Sequence, residues 1–516
     1  MHAPRKIFLL GTAVYALFSY GGIRSPDCEV TFRTAEALAF QGTPGVSRPL
    51  ERWPTFDGFR EGHDGRLYSV FGPAESYALS LFLPLAEAIN RTGWYEAIPE
   101  RIPVSHYAGQ GIRTILEGRR PADMRPHALR LLMAPFNVVV SALVATIFFL
   151  LAQTLTGRET GAWYATIAFA FASLAFPYSG TFFNEPLTIL FVMLSLLLLV
   201  RNDCGMEPWG RRRRTSLLGA GFFLGLAVAT HVTAMLFAPF LFLYALAPDL
   251  KPRFRLSRRL AAGGACFASG MCVIGVLLAY YNYVRFGSIL ESGRTLSFAH
   301  YGAEMIVWPW HGLNYLLVSG GKGLVWYCPV ILAGLLAWRT FHRRHAFLAK
   351  ILVAAIVFRV LFFASVFWRC GFCLGPRYLL PVIPLLLLPI AFSVEELVEK
   401  RRYAHLNALL VMLVLCTAQQ LFFALGEPFS FLHFIRESFQ KQDFNIFYND
   451  EIFMSWSFSP AIYLLEGLRG PFLLRGIPLG NYALWALCAI LATVPLCVWH
   501  ARNLKMWQSR PGSRIN

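Results

Sequence analysis

Two carboxylates lie two residues apart in Ser25-Pro26-Asp27-Cys28-Glu29, where a first apolar segment ends and a long polar excursion begins. A carboxylate within hydrogen-bond reach of a hydroxyl takes its proton as the oxygen attacks, which is the work of a general base. In a helix Asp27 and Glu29 point about 200° apart, and in an extended segment they share a face. Either way one of them can face a cavity, and both can equally sit solvated among headgroups. Cations suited to holding an anion stand farther along. Gly320-Gly321-Lys322-Gly323 lets backbone amides and a lysine approach a phosphate, although it lacks the rest of a Walker A motif. Gly375-Pro376-Arg377-Tyr378 sets a guanidinium at the start of an apolar run, where its planar fork can grip phosphate bidentately or anchor the chain at an interface.

The elements that must position these groups are membrane helices. Of 516 residues 56% are hydrophobic and only 15% charged, at a mean hydropathy of +0.50, which excludes a water-soluble core of this size. The net charge of +18 is of the kind spent on cytoplasmic loops and anionic lipid, so membrane lipids are the expected partners and nucleic acid is not. Ten scattered cysteines show no disulfide framework, and Cys370-Gly371-Phe372-Cys373 lacks the strand-to-helix setting of a redox motif. No second His or Cys stands at ligand spacing from His231, so no metal and no cofactor is expected.

An apolar run from Ile7 to Ile23 follows Arg5 and Lys6, without a small-x-small cleavage site, and reads as a retained first helix. Ten further runs follow, and Ser216 to Leu246 has basic clusters on both flanks, so it must cross twice, turning near Thr230 and His231. The expected fold class is an all-α polytopic membrane protein of about twelve transmembrane helices. Both termini are then cytoplasmic, and a large first extracytoplasmic loop spans 24–126. In that loop Ala74 to Ile89 is apolar but carries Glu75, Pro84 and Glu87, and span parity makes it an interfacial helix. The expected organisation is a transmembrane catalytic region at 1–425, an extracytoplasmic cap at 426–481, and a last helix with a basic tail at 482–516.

On this scheme the polar and ionisable residues at span ends gather on the external side. They include Asp27, Glu29, Asp64, Arg66, Tyr68, Asn184, Glu185, His231, Arg285, Arg294, Lys322 and Arg377. Ionisable groups so close to hydrocarbon are costly unless paired or facing a cavity, and a mixture of acids and fixed cations suits a reaction that removes a proton and expels an anion. Arg359, in the middle of a span, must also find an acid or a carbonyl inside the bundle.

The chain resembles the bacterial membrane glycosyltransferases of the C superfamily, the group that includes protein O-mannosyltransferases and lipid A aminoarabinose transferases. The resemblance is carried by Asp27-Cys28-Glu29 and by the stretches from Asp64 to Pro73, from Pro177 to Pro186 and from Tyr281 to Ser288. It continues through Gly321 to Tyr327 and Gly375 to Pro381, in the expected order. It implies an inverting enzyme of the bacterial plasma membrane that takes a sugar from a polyprenyl-phosphate carrier and gives it to a lipid, glycan or protein acceptor on the extracytoplasmic face. The general base would be an acid of the first external loop, Asp27 with Glu29 as its alternative. Lys322 and Arg377 would hold the donor phosphate with Arg285 or Arg294 assisting, while Glu185, Asn184, His231, Arg66 and Tyr68 would meet the sugar or support the cations. Two rival readings use many of the same residues: a flippase for a lipid-linked sugar, and an inactive assembly partner. A transporter places its polar groups near the bilayer midplane, so their gathering at span ends favours the enzyme.

Overall fold

The structure, a computed structural model, describes residues 3–19, 21–23, 25–46, 58–98, 123–204, 210–247, 257–293, 308–366, 373–425, 454–462, 472–474, 477–479 and 481–509. The expected cap at 426–481 and Arg294 lie largely or wholly outside these residues.

Among the described residues six helical stretches are long and apolar enough to cross a membrane: Arg125–Thr156, Glu185–Asp203, Arg258–Phe286, Ala346–Ser365, Arg377–Glu399 and Tyr403–Leu425. The expected count of about twelve is not reached by these stretches among the described residues. The first helix is Ala3–Phe18, not Ile7 to Ile23, and its 16 residues reach about 24 Å. It packs on the Pro135–Thr156 helix, and the buried Tyr15 donates to Ala170 O at 3.0 Å. The run from Ala162 to Pro177 breaks after Ala170 and resumes only as the short helix Ala175–Ser179. The run from Ser216 to Leu246 divides where expected. Arg211–Thr230 is one helix, His231 leaves it in extended conformation, and a 3-10 turn at Val232–Phe237 leads into Ala238–Leu246.

The first loop opens with a helix at Pro26–Gln41, which Pro26 begins at the position where its missing N–H is harmless. Asp27 and Glu29 fall in its first turn, where the helix dipole favours carboxylates. A hairpin follows, Phe59–Glu61 against Leu67–Ser69, and then two short helices at Pro73–Ser80 and Leu83–Asn90. The apolar stretch from Ala74 to Ile89 is thus carried by two helices of 8 residues each. Tyr77, Leu81, Phe82, Leu85 and Ile89 are exposed along it.

A buried ion pair fixes the loop to the bundle. Arg130, inside the Arg125–Met133 helix, donates through Nε to Glu29 Oε2 at 2.9 Å, stacks over Phe32 at 4.4 Å and is sealed from solvent. Gly72 brings the loop against the end of the Arg211–Thr230 helix, and a Cβ there would run into the carbonyl oxygens of Ala229 and Thr230.

Several long helices share one polarity. Glu185, Thr230, Arg285 and Arg377 stand at one end of their helices, while Arg211 to Arg214, Arg258 with Arg259, and Lys400 to Arg402 stand at or just beyond the other end. The site described next lies at the first of these ends.

Candidate active site

Arg377 is the centre of the site. Gly375, in the left-handed region at φ +61, turns the chain so that Arg377 opens the 3-10 turn Arg377–Val382 with its side chain directed inward. Its Nη2 donates to Asp27 Oδ2 at 3.1 Å, and its Nε lies 3.1 Å from Glu185 Oε1 as an ion pair without hydrogen-bond alignment. The guanidinium covers the Phe183 ring at 4.1 Å. One cation thus meets two carboxylates and an aromatic face, drawn from parts of the chain some 350 residues apart. Asp27 remains 35% accessible whereas Glu185 is 4% accessible, so Asp27 is the carboxylate an entering molecule can reach.

These groups line a cavity of about 20 Å3, together with Cys28, Thr31, Phe71, Phe182, Asn184, His231 and Tyr378. That is room for roughly one water. A second cavity of about 100 Å3 adjoins it, sharing Phe71, Asn184 and His231 and continuing to Asn282, Arg285 and Ser292.

The cavity walls are held by hydrogen bonds. Asn184 donates through Nδ2 to Thr230 O at 3.2 Å. His231 Nδ1 faces the Thr233 N–H at 3.3 Å and the Thr233 hydroxyl at 2.7 Å, so this nitrogen accepts and a neutral ring carries its hydrogen on Nε2. Arg359 donates to Tyr378 O at 3.0 Å and to Thr233 O at 2.9 Å. The mid-span arginine thus finds carbonyls, and it ties the Tyr378 wall to the His231 wall.

Other expected site residues lie elsewhere. Glu29 is on the same helix as Asp27 but turned about 200° away, fully buried against Arg130, with Arg33 Nε donating to its Oε1 at 2.9 Å. It lies outside the lining of both cavities. Arg66 and Tyr68 belong to the hairpin, where Tyr68 donates to Asp64 Oδ2 at 2.8 Å and Arg66 to Thr43 Oγ1 at 3.1 Å, and neither lines the two cavities. Lys322 is buried with its Nζ 3.5 Å from Cys373 Sγ, outside both cavity linings. Arg285 reaches the second cavity, but its guanidinium donates to Ser69 O and Asn282 Oδ1, each at 2.6 Å, and holds the hairpin to the Arg258–Phe286 helix. Among the described residues no three His, Cys, Asp or Glu side chains come together as a metal site.

Phe71, Phe183 and Tyr378 were not singled out by sequence, although each lies inside a stretch that carries the family resemblance. Arg130 left a fainter signal, a charge near the start of an apolar run.

Residues 119–289 match the family model of the dolichyl-phosphate-mannose-protein mannosyltransferases, a stretch that holds Asn184, Glu185, His231 and Arg285 but neither Asp27 nor Arg377. No curated protein sequence matches the chain. Among solved structures, the oligosaccharyltransferase of Archaeoglobus fulgidus, tethered to an acceptor peptide containing the NVT sequon, is similar in fold. Its TM-score is 0.50 at 12% identity, over 81% of this chain and 55% of that one. The apo form of ArnT from Cupriavidus metallidurans aligns over 95% of this chain and 75% of its own, with a TM-score of 0.48 and 14% identity. The chain thus resembles the membrane glycosyltransferases of the C superfamily, as its motifs implied.

Proposed function

We propose that this chain is an inverting membrane glycosyltransferase. It would move a sugar from a polyprenyl-phosphate carrier to a lipid, glycan or protein hydroxyl, with Asp27 as general base and Arg377 as the phosphate-holding cation. The observation that carries this reading is the convergence of a reachable carboxylate, Asp27, and a buried one, Glu185, on a single buried guanidinium. The match of a third of the chain to a family named for a lipid-phosphate sugar donor supports the same chemistry.

The reaction needs two things of the protein. As the acceptor oxygen bonds to the anomeric carbon from the face opposite the phosphate, its proton passes to a carboxylate, and Asp27 supplies that base. The bond from the anomeric carbon to the phosphate oxygen breaks with its electron pair on oxygen, and the charge that grows on the lipid phosphate is stabilised by a cation fixed in advance. Arg377 is such a cation, held over Phe183 and braced by Glu185. An arriving phosphate would take the Nη2 edge that Asp27 now holds, leaving the carboxylate to the acceptor hydroxyl. The basic clusters stand at the opposite ends of the helices from this site, which under the positive-inside rule supports an extracytoplasmic face for the proposed chemistry.

The test is consumption of radiolabelled polyprenyl-phosphate sugars by the purified protein in detergent, given extracted cell-envelope acceptors. Wild type consumes a donor, and Asp27→Asn loses on the order of a thousandfold in rate. Folded wild-type protein that consumes none of them would turn the reading toward a flippase or an assembly partner.

A further inference from the structure

Glu75 is fully buried in the Pro73–Ser80 helix, and neither of its oxygens has a hydrogen-bond partner among the described residues. A carboxylate left so is strongly unfavourable, because nothing replaces the water it has lost. Its neighbour is Asn137, at the start of the Pro135–Thr156 helix, and Asn137 is also fully buried. Asn137 Nδ2 donates to Thr181 O at 2.7 Å and to Phe183 O at 2.8 Å. Both acceptors are carbonyls, so the amide nitrogen must be the atom facing them, and its two hydrogens are spent. Asn137 Oδ1 is then turned the other way and is likewise without a partner. Three orphaned acceptor atoms in one place lack a single hydrogen.

We infer that Glu75 is a neutral carboxylic acid that donates a hydrogen bond to Asn137 Oδ1, and that through Asn137 it positions the Thr181-to-Glu185 strap of the site. That strap carries Phe183, under the Arg377 guanidinium, and Glu185, beside its Nε. Glu75 touches no substrate in this scheme and acts through Asn137. The charge around the site favours the same state, since Arg377 and Arg359 already face Asp27 and Glu185, and a third carboxylate would leave the site negative and oppose an anionic donor.

The surroundings keep the proton in place. Burial pushes the Glu75 carboxyl well above the usual range and the Glu185 charge pushes it further. A hydrogen bond received from Asn137 would act in the opposite sense, but that amide has no hydrogen left to give. Cys28 faces Glu75 from the Pro26–Gln41 helix. The Arg211–Thr230 helix packs on it with its uncharged end, and the Leu83–Asn90 helix turns Glu87 toward Arg91 and Arg125 instead.

The role rests on the proposed transferase, but its test does not. Wild type, Glu75→Gln and Glu75→Met are purified in detergent and compared in three ways. Infrared difference spectra of wild type minus Glu75→Gln show the carbonyl band of a protonated carboxylic acid. The thermal midpoint of Glu75→Gln rises relative to wild type as pH increases above about 4.5, where a free glutamate ordinarily ionises. The sign follows from the raised value: the folded wild type holds a proton that the unfolded chain releases, so it loses stability as pH rises, and the amide does not. Donor consumption survives in Glu75→Gln, whose amide still donates to Asn137 Oδ1, and falls about tenfold in Glu75→Met, which orphans that oxygen. Absence of the band, a midpoint difference that does not change with pH, or a Glu75→Gln as inactive as Asp27→Asn would each overturn the inference. If no donor is consumed by wild type, the transferase reading fails while the band and the pH slope still decide the state of Glu75.

Discussion

Arg377 shows how little of a side chain's meaning resides in its type. The same guanidinium at the start of a span serves as an anchor if it faces headgroups and as a phosphate cradle if it faces inward. It is 7% exposed, and Asp27 and Glu185 meet two different nitrogens, Nη2 and Nε, along the edges of its planar fork. An ammonium has no such edges. Arg377→Lys is therefore expected to lower kcat/KM on the order of a hundredfold despite preserving the charge. A lysine variant with near wild-type kinetics for the donor would show that charge alone suffices. Asp27 and Glu29 make a similar contrast. They look equivalent in sequence, yet a turn of about 200° gives one to the cavity and the other to Arg130.

At the scale of elements, the site depends on how the first loop is fastened to the bundle. The Pro26–Gln41 helix is held by Glu29 to Arg130, and it holds the next helix through Ser76, whose hydroxyl donates to Thr31 O at 2.9 Å. Arg130 and Glu29 are 2% and 0% accessible, and removing Arg130 leaves the buried Glu29 charge with only the partly exposed Arg33 to meet it. Arg130→Met is expected to cost about 3–5 kcal/mol of stability, read as a lowered unfolding midpoint in detergent. The fraction that stays folded should keep its donor affinity, because Arg130 meets none of the cavity-lining groups. A variant of unchanged stability but lost donor binding would place Arg130 in the site.

At the scale of the molecule, the helices share a polarity that the charges make visible. Basic clusters occupy one end, from Arg211 to Arg214 and from Lys400 to Arg402, and the paired acids and arginine of the site occupy the other. In a cysteine-free background, His63→Cys in the hairpin loop should react with a membrane-impermeant maleimide in intact spheroplasts. Arg212→Cys should react only after permeabilisation. The opposite pattern would put the site in the cytoplasm and remove the external-leaflet donor from the proposal. A midplane position for the polar groups, as in a transporter, would protect Asp27 from both faces.

Hydropathy and the placement of arginines made the apolar helices and the break in the Ser216-to-Leu246 run at Thr230 and His231 legible in the sequence. Each of these depends on local composition or on charge counted along the chain. Span lengths were less so, because the helix over Ala3–Phe18 and the break after Ala170 are set by packing rather than by apolar run length. Sequence also showed which side-chain types could do the chemistry, but not which of them meet. The choice of Asp27 over Glu29 is a matter of helix rotation, and the diversion of Arg285 to Ser69 O and Asn282 follows from where the hairpin docks. The carbonyl partners of Arg359 and the amide that faces Glu75 come from chain segments that only folding brings near. Pairing among buried polar groups is a three-dimensional condition: each buried donor and acceptor must find its complement, and only the tertiary structure says which complement is within reach.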